Sequence, residues 1–246
     1  MVHEAARTSI LSKDWRYSWA KLPNLVLDKQ FSMKLAKKSH NVFKETIDMI
    51  LLQHIGDIVK FYLDVSGVHL STYADIDRWM LYVTRNGVKK LKLNMTKDGV
   101  VPKRLPCILN CLWHLDLDVN FNKLGQTSYT LELIKSFPNF RDLEIWDKTT
   151  DDIVEGVMKY LDTPSCLDKT LNKLEDVSIH SFNYSKVVLY FVKLLFAHAS
   201  SLSRMSIYPD KASNSKEELN VATELMRFPR VSPKAELIYH PNEELD

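Results

Sequence analysis

The stretch Phe140-Arg141-Asp142-Leu143-Glu144-Ile145 has apolar residues at its first, fourth and sixth places and charged residues at the others. The alternation across Leu143, Glu144 and Ile145 has the period of two expected of a strand that buries one face and solvates the other. The same spacing recurs at Ile58/Phe61/Leu63, Val88/Leu91/Leu93, Leu112/Leu115/Leu117, Leu174/Val177/Ile179 and Leu202/Met205/Ile207, and again at Leu22/Leu25/Leu27. From Ile58 onward the first places are 30, 24, 28, 34 and 28 residues apart. A recurrence on that scale marks stacked supersecondary units, so the chain reads as a repeat protein.

Helical patterns fill the intervals. Thr72 and Asp75 have capping-box spacing, Ile76, Trp79, Met80 and Val83 recur on one helical face, and Asn86-Gly87 suits a left-handed C-cap. Further helices are expected over Leu131 to Phe137, Asp151 to Leu161 and Ser185 to Ala199. A last one is capped by Ser215 and Glu218 and carries Leu219, Leu225, Met226 and Phe228, with a strand following at Ala235 to Tyr239. Between Leu27 and Ile58 the lysines Lys34, Lys37, Lys38 and Lys44 read as a solvated face. Helices that return the chain lay successive strands parallel. A closed β/α barrel satisfies this, and its acids would gather at strand ends such as Asp64, Asp118 and Asp147, though ordinary loop aspartates explain those three more simply. Barrel strands are covered on both faces and read as continuous apolar runs, whereas these alternate. The expected fold is therefore α/β: an irregular leucine-rich-repeat solenoid, with a curved parallel sheet and helices on its convex side.

Composition narrows the function by exclusion. The 246 residues balance 33 basic against 31 acidic side chains, a formal charge of +2, so no global field draws the chain to nucleic acid or an anionic membrane. The longest apolar run, Val187 to Leu195, is broken by Lys193 and falls short of the roughly 18 residues of a membrane span. The first residues, with His3, Glu4 and Arg7, lack the apolar centre of a secretory signal. Cys107, Cys111 and Cys166 form no even framework, which suits a reducing intracellular compartment, cytoplasm or nucleus. In that setting the sequons at Asn94 and Asn183 carry no meaning.

The search for chemistry is brief. The six glycines build no phosphate loop, and no H-E-x-x-H pair or G-x-S-x-G elbow occurs. Asp116, Asp118, Asn120 and Asn122 imitate the start of a calcium loop, but Phe121 stands where glycine is needed and Thr127 where the closing glutamate is needed. Cys107 and Cys111, with His114 nearby, lack a fourth ligand and read as small buried apolar residues. His180 and His198 read as packing or capping residues. Trp113 and Trp146 leave core shielding and partner contact both open. No catalytic residue, cofactor or metal is expected.

What remains is a surface. With the fourth and sixth places turned inward, the third and fifth point the other way. They are Lys90 and Lys92, His114 and Asp116, Asp142 and Glu144, and Asp176 and Ser178. They form an expected substrate-binding face that passes from basic to acidic, or else the solubilising charge of an open sheet.

Both ends of the chain add a resemblance. Near the start, Arg7-Thr8-Ser9-Ile10-Leu11-Ser12-Lys13 precedes Trp15-Arg16, Trp19 and Leu22-Pro23-Asn24-Leu25. Near the end, Leu174 to Ile179, Phe191 to Leu195, Ala197-His198-Ala199 and Leu202 to Ile207 lead to Arg227-Phe228-Pro229-Arg230-Val231-Ser232-Pro233-Lys234-Ala235-Glu236. The first run resembles the C-terminal half of an F-box, and the second resembles an FBD domain, with Pro229 and Val231 as variants, as found together in plant F-box/FBD/LRR-repeat proteins. The resemblance implies a truncated, helical F-box remnant over residues 1–21, irregular leucine-rich repeats over 22–164 and FBD-like repeats with a cap over 165–246. It further implies a non-catalytic substrate receptor of a Skp-cullin-F-box ubiquitin ligase. Ile10, Leu11 and Trp15 would then be the residues meeting a Skp-type adaptor, and the repeats would hold an unknown protein target. The alternative is a leucine-rich binding module without ligase coupling, with a β/α-barrel enzyme third. Outside a complex a monomer is expected, with neither nucleic acid nor membrane as partner.

Overall fold

The structure is a computed structural model that describes residues 18–66, 68, 74–94, 110–149, 155–163, 167, 171–210 and 215–240. Ile10, Leu11, Trp15, Thr72, Cys107 and Cys166 lie outside the described residues. After a short 3-10 turn at Ser18–Lys21 come β1 (Asn24–Leu27), α1 (Lys29–Ala36), α2 (His40–Gln53), β2 (Lys60–Asp64) and α3 (Ala74–Arg85). They are followed by β3 (Lys90–Asn94), β4 (His114–Val119), α4 (Leu124–Ser136), β5 (Asp142–Asp147) and α5 (Glu155–Leu161). The chain closes with β6 (Asp176–Phe182), α6 (Lys186–His198), β7 (Arg204–Pro209), α7 (Ser215–Arg227) and β8 (Glu236–Tyr239).

The eight strands form one parallel sheet in chain order. Two apolar rows cross it. Leu25, Phe61, Leu91, Leu115, Leu143, Val177, Met205 and Leu237 stand side by side, as do Leu27, Leu63, Leu93, Leu117, Ile145, Ile179, Ile207 and Tyr239. These are the fourth and sixth places of the repeated pattern. The first places, Ile58, Val88, Leu112, Phe140, Leu174 and Leu202, are buried as well. Among the described residues β1 and β8 each pair with one strand and not with each other, so the sheet is open and the closed-barrel reading is set aside. This is the α/β architecture of a leucine-rich-repeat solenoid.

One carbonyl per unit hands the chain on to the next. Pro23 O accepts the N–H groups of both Val59 and Lys60, at 2.7 and 3.0 Å. Val59 O does the same for Lys89 and Lys90, Lys89 O for Trp113 and His114, and Trp113 O for Arg141 and Asp142. Arg141 O then takes Glu175 and Asp176, and Glu175 O takes Ser203 and Arg204. A carbonyl has two lone pairs, so each acceptor satisfies two donors just where the chain bends into its strand.

The helices follow their local signals unevenly. α3 ends as expected: Gly87 has φ +77°, and the N–H groups of Gly87 and Val88 bond back to the carbonyls of Thr84 and Val83. α6 begins at the expected place, with Ser185 Oγ accepting from Val188 N at 3.3 Å. Replacing Ser185 by alanine should lower stability by about 0.5–2 kcal/mol in chemical denaturation, with the fold intact. By contrast α1 and α2 occupy the lysine-rich stretch that read as a solvated face. Lys34, Lys37 and Lys38 are exposed there, but Lys44 pairs with Asp75, and Phe43, Ile47, Ile50 and Leu51 are buried. α4 starts seven residues before the expected Leu131 (131 − 124), since Gln126, Thr127, Ser128 and Thr130 are buried without forming an apolar stripe. Thr127 Oγ1 donates to Phe121 O at 2.9 Å, and Gln126 Oε1 accepts from Asn120 N at 2.8 Å. Cys111 is exposed, so its reading as a buried apolar residue is corrected. Asp116 and Asp118 belong to a strand, β4, which settles their calcium-loop likeness. No helix among the described residues is long and apolar enough to cross a membrane.

Candidate protein-interaction surface

The sheet face opposite the apolar rows carries three polar rows, each set by the parallel register. In the first stand Lys60, Lys90, His114, Asp142, Asp176, Arg204 and Glu236. The second holds Tyr62, Lys92, Asp116, Glu144, Ser178 and Ser206. All eight residues expected on this face therefore fall in two adjacent rows. The third row starts at Asp64, Asn94, Asp118, Trp146 and His180. It continues through Tyr208 and His240 by ring contact, with centroid separations of 4.3 Å from Trp146 to His180, 4.5 Å to Tyr208 and 4.2 Å to His240. The planes differ by 15°, 8° and 4°, so four rings form a stack running across the strands.

Sequence reasoning missed this stack and assigned His180 to packing or capping. The signal was available: the rings occupy the place after the sixth in successive units, which a period of two also sends away from the core. Trp146 and Trp113 are both half-buried on this side. Lys90 Nζ lies 4.7 Å from the Trp113 ring centre, and Lys92 Nζ lies 5.3 Å from that of Trp146.

The charges largely meet one another across the strands. Lys92 Nζ is 2.7 Å from Asp116 Oδ2, and Arg204 reaches Asp176 at 2.6 Å. His114 stands 3.8 Å from both Asp142 and Glu144, one ring nitrogen to each, and His180 Nε2 is 3.3 Å from the other Glu144 oxygen. Asp116 lies in the polar rows with the other seven, but only 8 % of it is exposed and Lys92 takes one of its oxygens. Burial holds the carboxyls of Asp116, Asp118 and Asp142 above the ordinary aspartate range, against the pull of Lys92, Lys148 and His114 respectively. Burial also lowers the pKa of His180, opposed by Glu144, which favours the neutral ring. At the C-terminal strand ends, Asp64 bonds to Asn94 at 3.0 Å and to Ser66 N at 2.9 Å, while Asp147 accepts from Thr149 N at 2.8 Å. Both carboxylates thus close local turns.

Comparison with known proteins yields plant relatives. An F-box/FBD/LRR-repeat protein of Arabidopsis thaliana is 38 % identical over 117 residues, which is 45 % of this chain and 26 % of the relative. Over that part of its length the chain is similar to a plant F-box/FBD/LRR-repeat protein. Two F-box/LRR-repeat proteins of the same plant match at 37 % over 97 residues and 34 % over 108, covering 37 % and 42 % of this chain and 18 % and 22 % of those relatives. The chain thus spans less than a third of the curated F-box/LRR-repeat relatives it matches. No family model matches it, and no solved structure does.

Proposed function

We propose that this F-box/LRR-type chain is a non-catalytic protein-interaction subunit that works as the substrate receptor of a Skp-cullin-F-box ubiquitin ligase. The observation that carries the reading is the continuous polar and aromatic face, held in one register across neighbouring strands of an open sheet. Rigid strands fix the spacing of its groups before any partner arrives, which lowers the ordering cost of binding. The residues that meet the target are Lys90, Lys92, His114, Asp116, Asp142, Glu144, Asp176 and Ser178, joined by Trp146, His180, Tyr208 and His240. Ile10, Leu11 and Trp15 are the residues that meet the adaptor.

Two experiments test the two halves of this reading. With a Skp-type adaptor as bait, a chain extended by a complete F-box should be retained and the present chain should not, because half of a small helical domain cannot bury a core. Equal retention of both would refute the adaptor half. With a captured target, reversing Asp142 and Glu144 to lysine should slow association by about tenfold at low salt. The melting temperature should hardly change, because partly exposed ion pairs contribute only about 0–1 kcal/mol. Unchanged association at low salt would move target binding off this face.

A further inference from the structure

We infer that the centre of the polar face is a binding site for a divalent transition-metal ion of the zinc class, held by His114, Asp116 and Glu144 with His180 at its edge. One ligand atom from each of the first three residues lies within 4.8 Å of the others. Two of the three sit on β4 and the third on β5, where the register places Asp116 directly beside Glu144. Strand backbones fix these positions, so the donors converge without any loop having to order.

The surroundings are those of a metal site in three further respects. Asp116 is the most buried of the three, and while Lys92 occupies its Oδ2, its Oδ1 is buried and has no hydrogen-bond partner. A buried carboxylate oxygen left without a donor is costly, and a cation relieves that cost. His114 turns one ring nitrogen to Glu144 and the other, Nδ1, to Asp142 Oδ2 at 3.8 Å. A carboxylate behind the distal nitrogen is the arrangement that orients a metal-binding imidazole and raises its basicity. His180 Nε2 stands 3.3 Å from the Glu144 oxygen that does not face His114, and its ring is held in place between Trp146 and Tyr208.

The donor set selects the ion. One imidazole and two carboxylates suit zinc and its first-row neighbours, whereas calcium takes six or more oxygens. Donors at about 2.0–2.2 Å from one zinc ion lie about 3.3 Å apart in a tetrahedron. The present spread of up to 4.8 Å is closed by side-chain rotation of His114 and Glu144, both partly exposed. Lys92 is the built-in competitor, since its ammonium already neutralises Asp116. This site is independent of the identity of any target or adaptor.

Calorimetric titration of the full, metal-stripped chain with zinc at neutral pH, and visible spectroscopy with cobalt as a stand-in, test the assignment. Zinc should bind one to one, and cobalt should give the intense visible bands of a four-coordinate site. His114→Ala and Glu144→Gln should each weaken zinc binding by more than about 100-fold, and Asp142→Asn, one step removed from the ion, by about 10–100-fold. Lys92→Gln should tighten binding on the order of tenfold by freeing the second Asp116 oxygen. His198→Ala, on the last turn of α6, should change nothing. Circular dichroism melts identify variants that fail to fold, and for those Lys92→Gln and His198→Ala remain as the decisive pair. Absence of stoichiometric binding overturns the inference. So does zinc binding that survives in folded His114→Ala and Glu144→Gln, or that is indifferent to Lys92→Gln.

Discussion

Deleting the chain from Ser215 onward is expected to abolish sharp, cooperative unfolding or to lower the melting temperature by more than about 10 °C. β8 is the outer strand of the sheet and pairs with β7 from Arg204↔Glu236 to Ile207↔Tyr239. The segment before it seals the final unit from the side. Val231 N bonds Phe196 O at 3.0 Å, the Arg230 guanidinium lies 4.9 Å from the centre of the Phe196 ring, and Ser232 Oγ donates to Leu202 O at 2.6 Å. Leu225 is fully buried. Without these groups Phe196 and Leu202 meet water and β7 presents a row of unpaired backbone groups, which invites edge-to-edge association. Light scattering and a thermal melt read the result directly. A truncated chain that melts as sharply as the parent, at the same temperature, would show that the last unit is no cap.

The second large effect is a pH dependence with an unusual sign. Asp147 is 4 % exposed, and burial pushes its pKa from 3.8 up to about 6, despite hydrogen bonds from Thr149 and Asn183 and the charge of Lys148. With the folded value above the unfolded one, the native state binds the extra proton between the two values. Stability from this group is therefore fully present below the unfolded pKa and is lost as pH rises through about 6. The loss is on the order of 1–3 kcal/mol. Asp77, Asp116, Asp118 and Asp142 are displaced in the same direction, each chiefly by burial, so they reinforce the slope. Asp147→Asn keeps an oxygen for Thr149 N and removes the titration. Urea unfolding at about pH 4 and about pH 7 should show the parent losing more stability than this variant by that amount. Parallel pH profiles would mean that Asp147 pays no burial penalty in the folded protein.

Most of the sheet was legible because one spacing, apolar at places one, four and six, recurs with little change and fixes both which face is buried and how strands align. Leu93, Leu117 and Ile145 could be set side by side from sequence alone, and they pair in that register. The helices were harder where polarity and burial part company. In α4, Thr127 and Ser128 are buried through bonds to backbone carbonyls and leave no stripe to read. In α2, Ser39 caps the helix and Phe43 and Ile47 fit a buried face, but the surrounding lysines outweighed them. The first two polar rows were legible from strand alternation. Their neutralisation was not, because Lys92 and Asp116 are 24 residues apart and meet only through the register. The ring stack was missed because the pattern was read as ending at its sixth place, one residue short of Trp146, His180, Tyr208 and His240.

The bifurcated carbonyls have a consequence for how such a chain can change over generations. At six of the seven strand junctions one carbonyl accepts both N–H groups that enter the next strand, and each strand pairs only with the strand before and the strand after it in the chain. A duplicated or lost gene segment encoding one whole unit would therefore leave every other junction as it was. The face would lengthen or shorten by one strand spacing, about 4.8 Å. New side chains would join the polar rows at the splice alone, so a lineage can revise what its surface reads without redesigning the scaffold beneath.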